Sequence, residues 1–367
     1  MKTLIILMLF SLTSYAQYGK PKLVARYSGV DSYNAPDGLY CFSSEPQPTK
    51  EGVFLGCLNR EGNSLMVKWN PEFEILATSE NGLFSHPKEV EGKANWYEFG
   101  EAGVSNLFEY QNANLNVINL KNLGPVFALI DSFTAVKNQS YIYRLQDGTK
   151  KLQSWKNHTI NSLYAENVAH IFPPASSVEG EFVIKVRREH LNENAPDELI
   201  LWDGDFHTIL KDRDALSTSK LKSFRHQYAI DQGAVALVVT DDEGEALVII
   251  SEGKMTEVAR VGNDLISFDY FSPKMRNGVL VFRGLDLERR KAVWVYEKGE
   301  LKKLLTQGDI VKTDKGLARV DYKNSDALLY GAPGIGPEGE IFQQATLTDI
   351  DSPLTLLGIG LIKFVRE

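Results

Sequence analysis

The side chains best suited to acid–base or metal chemistry near neutral pH are six histidines: His86, His158, His170, His190, His207 and His226. Three of them, His86, His170 and His226, fall in segments that read as the innermost strands of separate repeat units. In a ring of such units these strands would surround a central channel, where imidazoles could share a metal or relay a proton. Their register disagrees. Counted back from the Pro or Asp that closes each segment, they sit one, four and five residues away, and alternate residues of a strand face opposite ways. Asp131, Asp231, Asp269 and Tyr330 fall in the same class of segment. Acid–base hydrolysis of a glycoside needs two carboxylates held a few ångströms apart, and the sequence singles out no such pair. Asp131 and Asp231 occupy equivalent positions, which suits a repeated turn role. The channel-mouth set is therefore His86, His170, His226, Asp269 and Tyr330, read as binding residues. No catalytic residue, metal or cofactor is assigned.

The common catalytic signatures are missing from the sequence. It has no Gly-x-Ser-x-Gly nucleophile elbow, no His-Glu-x-x-His and no phosphate-cradling Gly-x-x-x-x-Gly-Lys-Ser/Thr. Asp203-Gly204-Asp205 and Asp241-Asp242-Glu243-Gly244 look like calcium loops. Both fall where a hairpin turn is needed, and turns favour Asp and Gly for backbone reasons. The tryptophans Trp69, Trp155, Trp202 and Trp294 recur at the third strand of a unit, with Trp96 in a second strand, which reads as packing between units. The stretch Arg187–Glu198 lengthens one hairpin and offers a contact surface.

Bulk properties narrow the class. The formal charge is −8 and no Lys/Arg-rich run occurs, so nucleic acid is not an expected partner. Met1 to Gln17 has one Lys, an apolar run from Leu4 to Leu12 and a small-residue end at Ala16, the layout of a secretory signal. Residues 1–16 are read as a signal peptide and 17–367 as one domain, periplasmic or extracellular and monomeric, with no membrane span. In an oxidising compartment Cys41 and Cys57, in neighbouring strands, are expected to pair; two buried free thiols are the alternative.

The elements that would position these residues come from an internal repeat. Similar starts recur at Glu51, Glu91, Lys137, Glu179, Gln232, Asn277 and Glu338, roughly 40 to 60 residues apart. Each is preceded by an inner strand ending in a Pro or acidic turn and followed by a polar hairpin, a third apolar strand and a shorter, more polar fourth. In Gly278–Leu305 the first two runs are apolar on both faces, as expected of strands packed between two neighbouring sheets. The expectation is all-β: a seven-bladed β-propeller of four-stranded blades. Val24-Ala25-Arg26 matches the fourth-strand segment Val258-Ala259-Arg260, so the N-terminal strand is expected to complete the last blade and close the ring. Rings of six or eight are the nearest alternatives.

The run GAPGIGPEGEIFQQATLTD, together with turns at Gly262-Asn263-Asp264 and Gly308-Asp309, resembles the repeat of a poorly characterised group of secreted bacterial β-propeller proteins. That resemblance implies fold and not function. The functional expectation is a non-catalytic exported propeller that binds or scaffolds an envelope protein or a saccharide. The alternative is a hydrolase or lyase acting on a polysaccharide or small ester at the channel mouth.

Overall fold

The computed structural model describes residues 18–28, 31–41, 45–100, 103–120, 130–136, 140–145, 152–156, 159–164, 168–188, 197–212, 220–320, 329–352 and 355–367. The expected signal peptide and its cleavage point lie outside these residues, as do His158, His190 and the middle of the Arg187–Glu198 hairpin. Among the described residues every regular element is a β-strand, and strands that pair within a sheet run antiparallel. Among the described residues no helix is long and apolar enough to cross a membrane.

Two-residue turns with positive φ at both positions organise the hairpins. Asn277 (φ 52°) and Gly278 (φ 73°) join Lys274–Arg276 to Val279–Leu285, and Lys298 (φ 52°) and Gly299 (φ 84°) join the two strands that follow. Mirror-image turns of this kind match the right-handed twist of the strands they connect, which is why Gly stands at their second position.

The middle strands answer to two neighbours at once. In Val279–Leu285, Val279 and Val281 enter a cluster shared with the C-terminal sheet, while Leu280 and Phe282 enter another shared with the preceding sheet. Trp96 and Trp294 are buried in such inter-sheet clusters, and Trp202 stacks on Phe182 at 5.0 Å. The outer strand Glu300–Thr306, by contrast, exposes Lys302 and Lys303.

The innermost strands touch in succession. Gln47–Thr49 contacts Lys88–Val90, which contacts Ile130–Val136, then Ala175–Ser176, Ser223–Asp231, Lys274–Arg276 and Leu329–Ile335, and the last returns to Gln47–Thr49. This closed cycle encircles a channel. Three inner strands are broken by proline: Pro87 between Leu83–Phe84 and Lys88–Val90, Pro173-Pro174 between Val168–Ile171 and Ala175–Ser176, and Pro273 between Ser267–Phe268 and Lys274–Arg276. Proline has no N–H to donate, and an innermost strand pairs on one side only, so the break is tolerated there. The expectation that these strands end at the proline is thereby corrected: each resumes for two or three residues before the hairpin.

Seven four-stranded blades completed by the N-terminal strand do not describe the chain. The described sheets have four, five or six strands, and only three of them have four. The sheet holding both ends of the chain has six. Lys22–Tyr27 pairs with Leu356–Phe364 at its edge, but that sheet already contains the strands Ile310–Thr313, Gly316–Val320, Leu329–Ile335 and Ile341–Asp349. The hairpin Ile310–Val320 is the element the repeat reading did not anticipate. Arg26 reaches into its turn, donating from Nη2 to Asp314 Oδ2 at 2.6 Å.

Cys41 and Cys57 form a disulfide. Cys57 lies in the strand Gly52–Leu58, whose last residue bridges Tyr40.

Candidate functional site

A cavity of ≈ 520 Å³ opens at the centre of the ring, lined by inner-strand stubs and by the loops that carry the prolines. That volume falls within the range of small-molecule sites. Its charged lining comes from two places. Glu45, Lys88 and Glu89 lie near the first two inner strands, and Lys274 and Arg276 lie on the inner strand that follows Pro273.

The charges are arranged in pairs. Lys274 Nζ donates to Glu45 Oε2 at 2.5 Å, and Arg276 Nη1 donates to Glu89 Oε2 at 2.7 Å and to the Pro48 carbonyl at 3.2 Å. Burial works to raise the Glu45 carboxyl, but Lys274, His86 and Lys88 outweigh it and hold the group at about 2. Burial dominates at Glu89 and lifts it above the ordinary value against the pull of Arg276. The backbone N–H of Glu45 donates to His86 Nδ1 at 3.2 Å. That nitrogen is therefore the acceptor, and the neutral ring carries its proton on Nε2. Displaced water, with Lys274 and Lys88 nearby, lowers the His86 pKa although Glu45 opposes it. Lys88 is half-buried; burial and the Lys274 charge depress its amine to about 8.

Aromatic rings frame the mouth. Tyr270 is 81% exposed and Phe271 is 41% exposed. Arg283 lies over the Phe271 ring at 4.5 Å and pairs with Asp269 through Nη2 and Oδ2 at 2.8 Å. The Phe172 ring stacks on His226 at 5.2 Å, and Gln227 Nε2 lies 3.0 Å from His226 Nε2.

Of the residues singled out from sequence, His86 and His226 line the cavity. His170 is not among the lining residues; its ring packs edge-on against Phe172 at 4.7 Å. Asp269 anchors Arg283 instead of facing the cavity. The Tyr330 side chain and that of Asp131 lie outside the described residues. Asp231 accepts a hydrogen bond from the Gly278 N–H of the next sheet at 3.1 Å. Among the described residues no group of three His, Cys, Asp or Glu side chains could hold a metal ion. Asp241, one of the calcium-loop look-alikes, spends its oxygens on the Glu243 N–H and the Arg260 guanidinium.

Sequence reasoning missed Glu45, Lys88, Glu89, Lys274, Arg276, Tyr270 and Phe271. The signal was present in HPKEVEG and SPKMRNG, where a Lys follows the inner-strand Pro and a turn follows two residues later. Ending the strand at its Pro hid the stub that faces the channel.

A ring of antiparallel sheets around a lined central channel defines the β-propeller, and that is the class of fold the chain adopts. No protein-family model and no curated protein matches it. Among solved structures it is similar to the β-propeller domain of the Trilobed protease from Pyrococcus furiosus, with a TM-score of 0.46 and 12% identity, covering 72% of this chain and 81% of that one. It is similar to the Pyrococcus horikoshii acylaminoacyl peptidase (TM-score 0.49, 14% identity, 83% of this chain and 51% of that one), so it spans about half of that peptidase. A third likeness is to the Aleuria aurantia lectin, at a TM-score of 0.38 and 8% identity, over 72% and 94% of the two chains. Likenesses this distant bring no activity to the chain, and the propeller assignment rests on its own ring of inner strands.

Proposed function

We propose that the chain is an exported, monomeric β-propeller that binds a cell-envelope saccharide at the mouth of its central channel. The observation that carries the reading is the pairing, at one cavity of ≈ 520 Å³, of the exposed Tyr270 and Phe271 rings with amide and hydroxyl side chains such as Gln47, Gln227 and Ser272. Aromatic faces stack on the apolar faces of sugar rings, while amides and hydroxyls meet the sugar hydroxyls. The two lining carboxylates, Glu45 and Glu89, are each committed to a cation, which suits a binder better than an acid–base pair.

The test is calorimetric titration of wild type and Tyr270→Ala against a panel of neutral and acidic envelope oligosaccharides. Wild type is expected to bind at least one of them, and Tyr270→Ala to bind it about tenfold more weakly, a loss of about 1.4 kcal/mol. No heat from any saccharide overturns the reading and leaves a protein partner. A lyase or hydrolase at the same mouth is the second reading, favoured by Lys88, an amine depressed to about 8 and so available as a base near neutral pH. Saccharide that is shortened during the titration would establish it.

A further inference from the structure

The channel carries an unbalanced charge. Lys88, Lys274 and Arg276 line it against Glu45 and Glu89, leaving one positive charge in excess on a chain whose formal net charge is −8. The excess can be located. Lys274 is committed to Glu45 and Arg276 to Glu89, whereas the Lys88 side chain makes no hydrogen bond or ion pair among the described residues. It stands on an inner-strand stub, in register with Asn95 of the neighbouring strand, and borders the cavity that Tyr270 and Phe271 frame. An ammonium group held partly out of water is costly when the carboxylate nearest it, Glu45, is already paired with Lys274, and an incoming anion reduces that cost.

We infer that Lys88 is a specificity-determining binding residue that takes the carboxylate of an acidic sugar, a uronate, whose ring lies toward the Tyr270–Phe271 mouth. The inference rests on the saccharide reading of the channel and narrows it to a ligand class. A carboxylate entering beside Lys88 meets Lys274 and His86 as well, while Glu45 is already neutralised by Lys274. A neutral sugar offers the amine nothing that water does not.

Lys88 must be protonated to bind an anion. With the free amine at about 8, affinity for a uronate should be close to full at pH 7 and fall as the pH rises through 8 to 10. His86 titrates below this window, being lowered, and Glu45 is ionised throughout.

The experiment compares trigalacturonate with its methyl ester, a neutral sugar of the same shape, on the full chain at pH 7 and at pH 9.5. Wild type should prefer the acid by about tenfold at pH 7 and lose most of that preference at the higher pH. Lys88→Met should abolish the preference while leaving affinity for the ester within about twofold, and Lys88→Arg should keep it at both pH values. Equal binding of acid and ester by wild type, or a preference that survives in Lys88→Met, overturns the inference and leaves the saccharide reading intact. If neither sugar binds, reductive methylation of wild type with and without glutarate decides the site by itself, and the wider saccharide panel decides the saccharide reading. Protection of Lys88 by glutarate keeps the carboxylate site; no protection overturns the inference. Circular dichroism melts of both variants show whether the fold survives.

Discussion

At the scale of single residues, some buried carboxylates in this chain, unlike Glu89, are held ionised by donors that converge on them. Asp286 is the clearest case, with a side chain only 1% exposed. Its Oδ1 accepts from the backbone N–H groups of Glu288 (3.0 Å) and Arg290 (2.8 Å), and its Oδ2 accepts from Arg290 Nη2 (2.8 Å) and Lys303 Nζ (3.2 Å). Burial works to raise its pKa, but the Arg290 amide and guanidinium and the Lys303 ammonium carry it from 3.8 down to about 2. A folded-state value below the unfolded one adds stability that is complete above pH 4 and disappears as the pH falls through about 2. The expected contribution at pH 7 is on the order of 2 kcal/mol. Asp286→Asn should therefore lower the thermal midpoint at pH 7 and converge on wild type near pH 2, as followed by circular dichroism. A constant difference across the whole range would mean that the side chain acts through shape and not through charge. Arg290 lies four residues along the same polar turn and was within reach of the sequence; Lys303 was not, because it comes alongside only when Lys291–Glu297 pairs with Glu300–Thr306.

At the scale of elements, two glycines separate backbone conformation from close packing. Gly278 sits at φ +73° in a hairpin turn with open space where a Cβ would stand, so Gly278→Ala costs only the left-handed conformation, about 1 kcal/mol. Gly334 lies in the inner strand Leu329–Ile335, where a Cβ would lie 2.1 Å from the Pro46 carbonyl oxygen across the channel wall. Gly334→Ala must push two inner strands apart and should cost about 3 kcal/mol. Chemical denaturation of both variants checks the ordering, and a smaller loss at Gly334 would show that the inner strands can slide. Repeat starts such as Asn277-Gly278 were readable because a mirror-image turn is a local demand on two residues. The stub after each inner-strand proline was not, because its pairing depends on the strand that follows and not on its own two or three residues.

At the scale of the whole molecule, stability is spread over the clusters between sheets, and each apolar strand serves two of them. The Cys41–Cys57 bridge, with a sequence separation of 16, ties the segment after the N-terminal strand to the first sheet. Closing a loop of that size in the unfolded chain is worth about 3 kcal/mol. Reduction should therefore lower the thermal midpoint by several degrees, and the unreduced protein should titrate with no free thiol after denaturation. Two free thiols in the denatured, unreduced protein would remove the bridge from the account and weaken the proposal of an oxidising compartment.

Sequence by itself determined that the chain is all-β, that its strands recur in units led by a Gly turn, and that the middle strand of a unit is buried on both faces. Those properties depend on periods of two residues and on turn chemistry, which act over a few neighbours at a time. It also brought Cys41 and Cys57 and the inner-strand histidines into view. Only the tertiary structure decided how many strands each sheet holds, because the Ile310–Val320 hairpin joins its sheet by pairing with Ile341–Asp349, far along the chain. Only the tertiary structure, likewise, placed Lys88 beside Lys274 and Glu45. Those three residues stand 43, 186 and 229 positions apart in pairs, and a charge left over in a channel is a sum over side chains that meet only when the ring is formed.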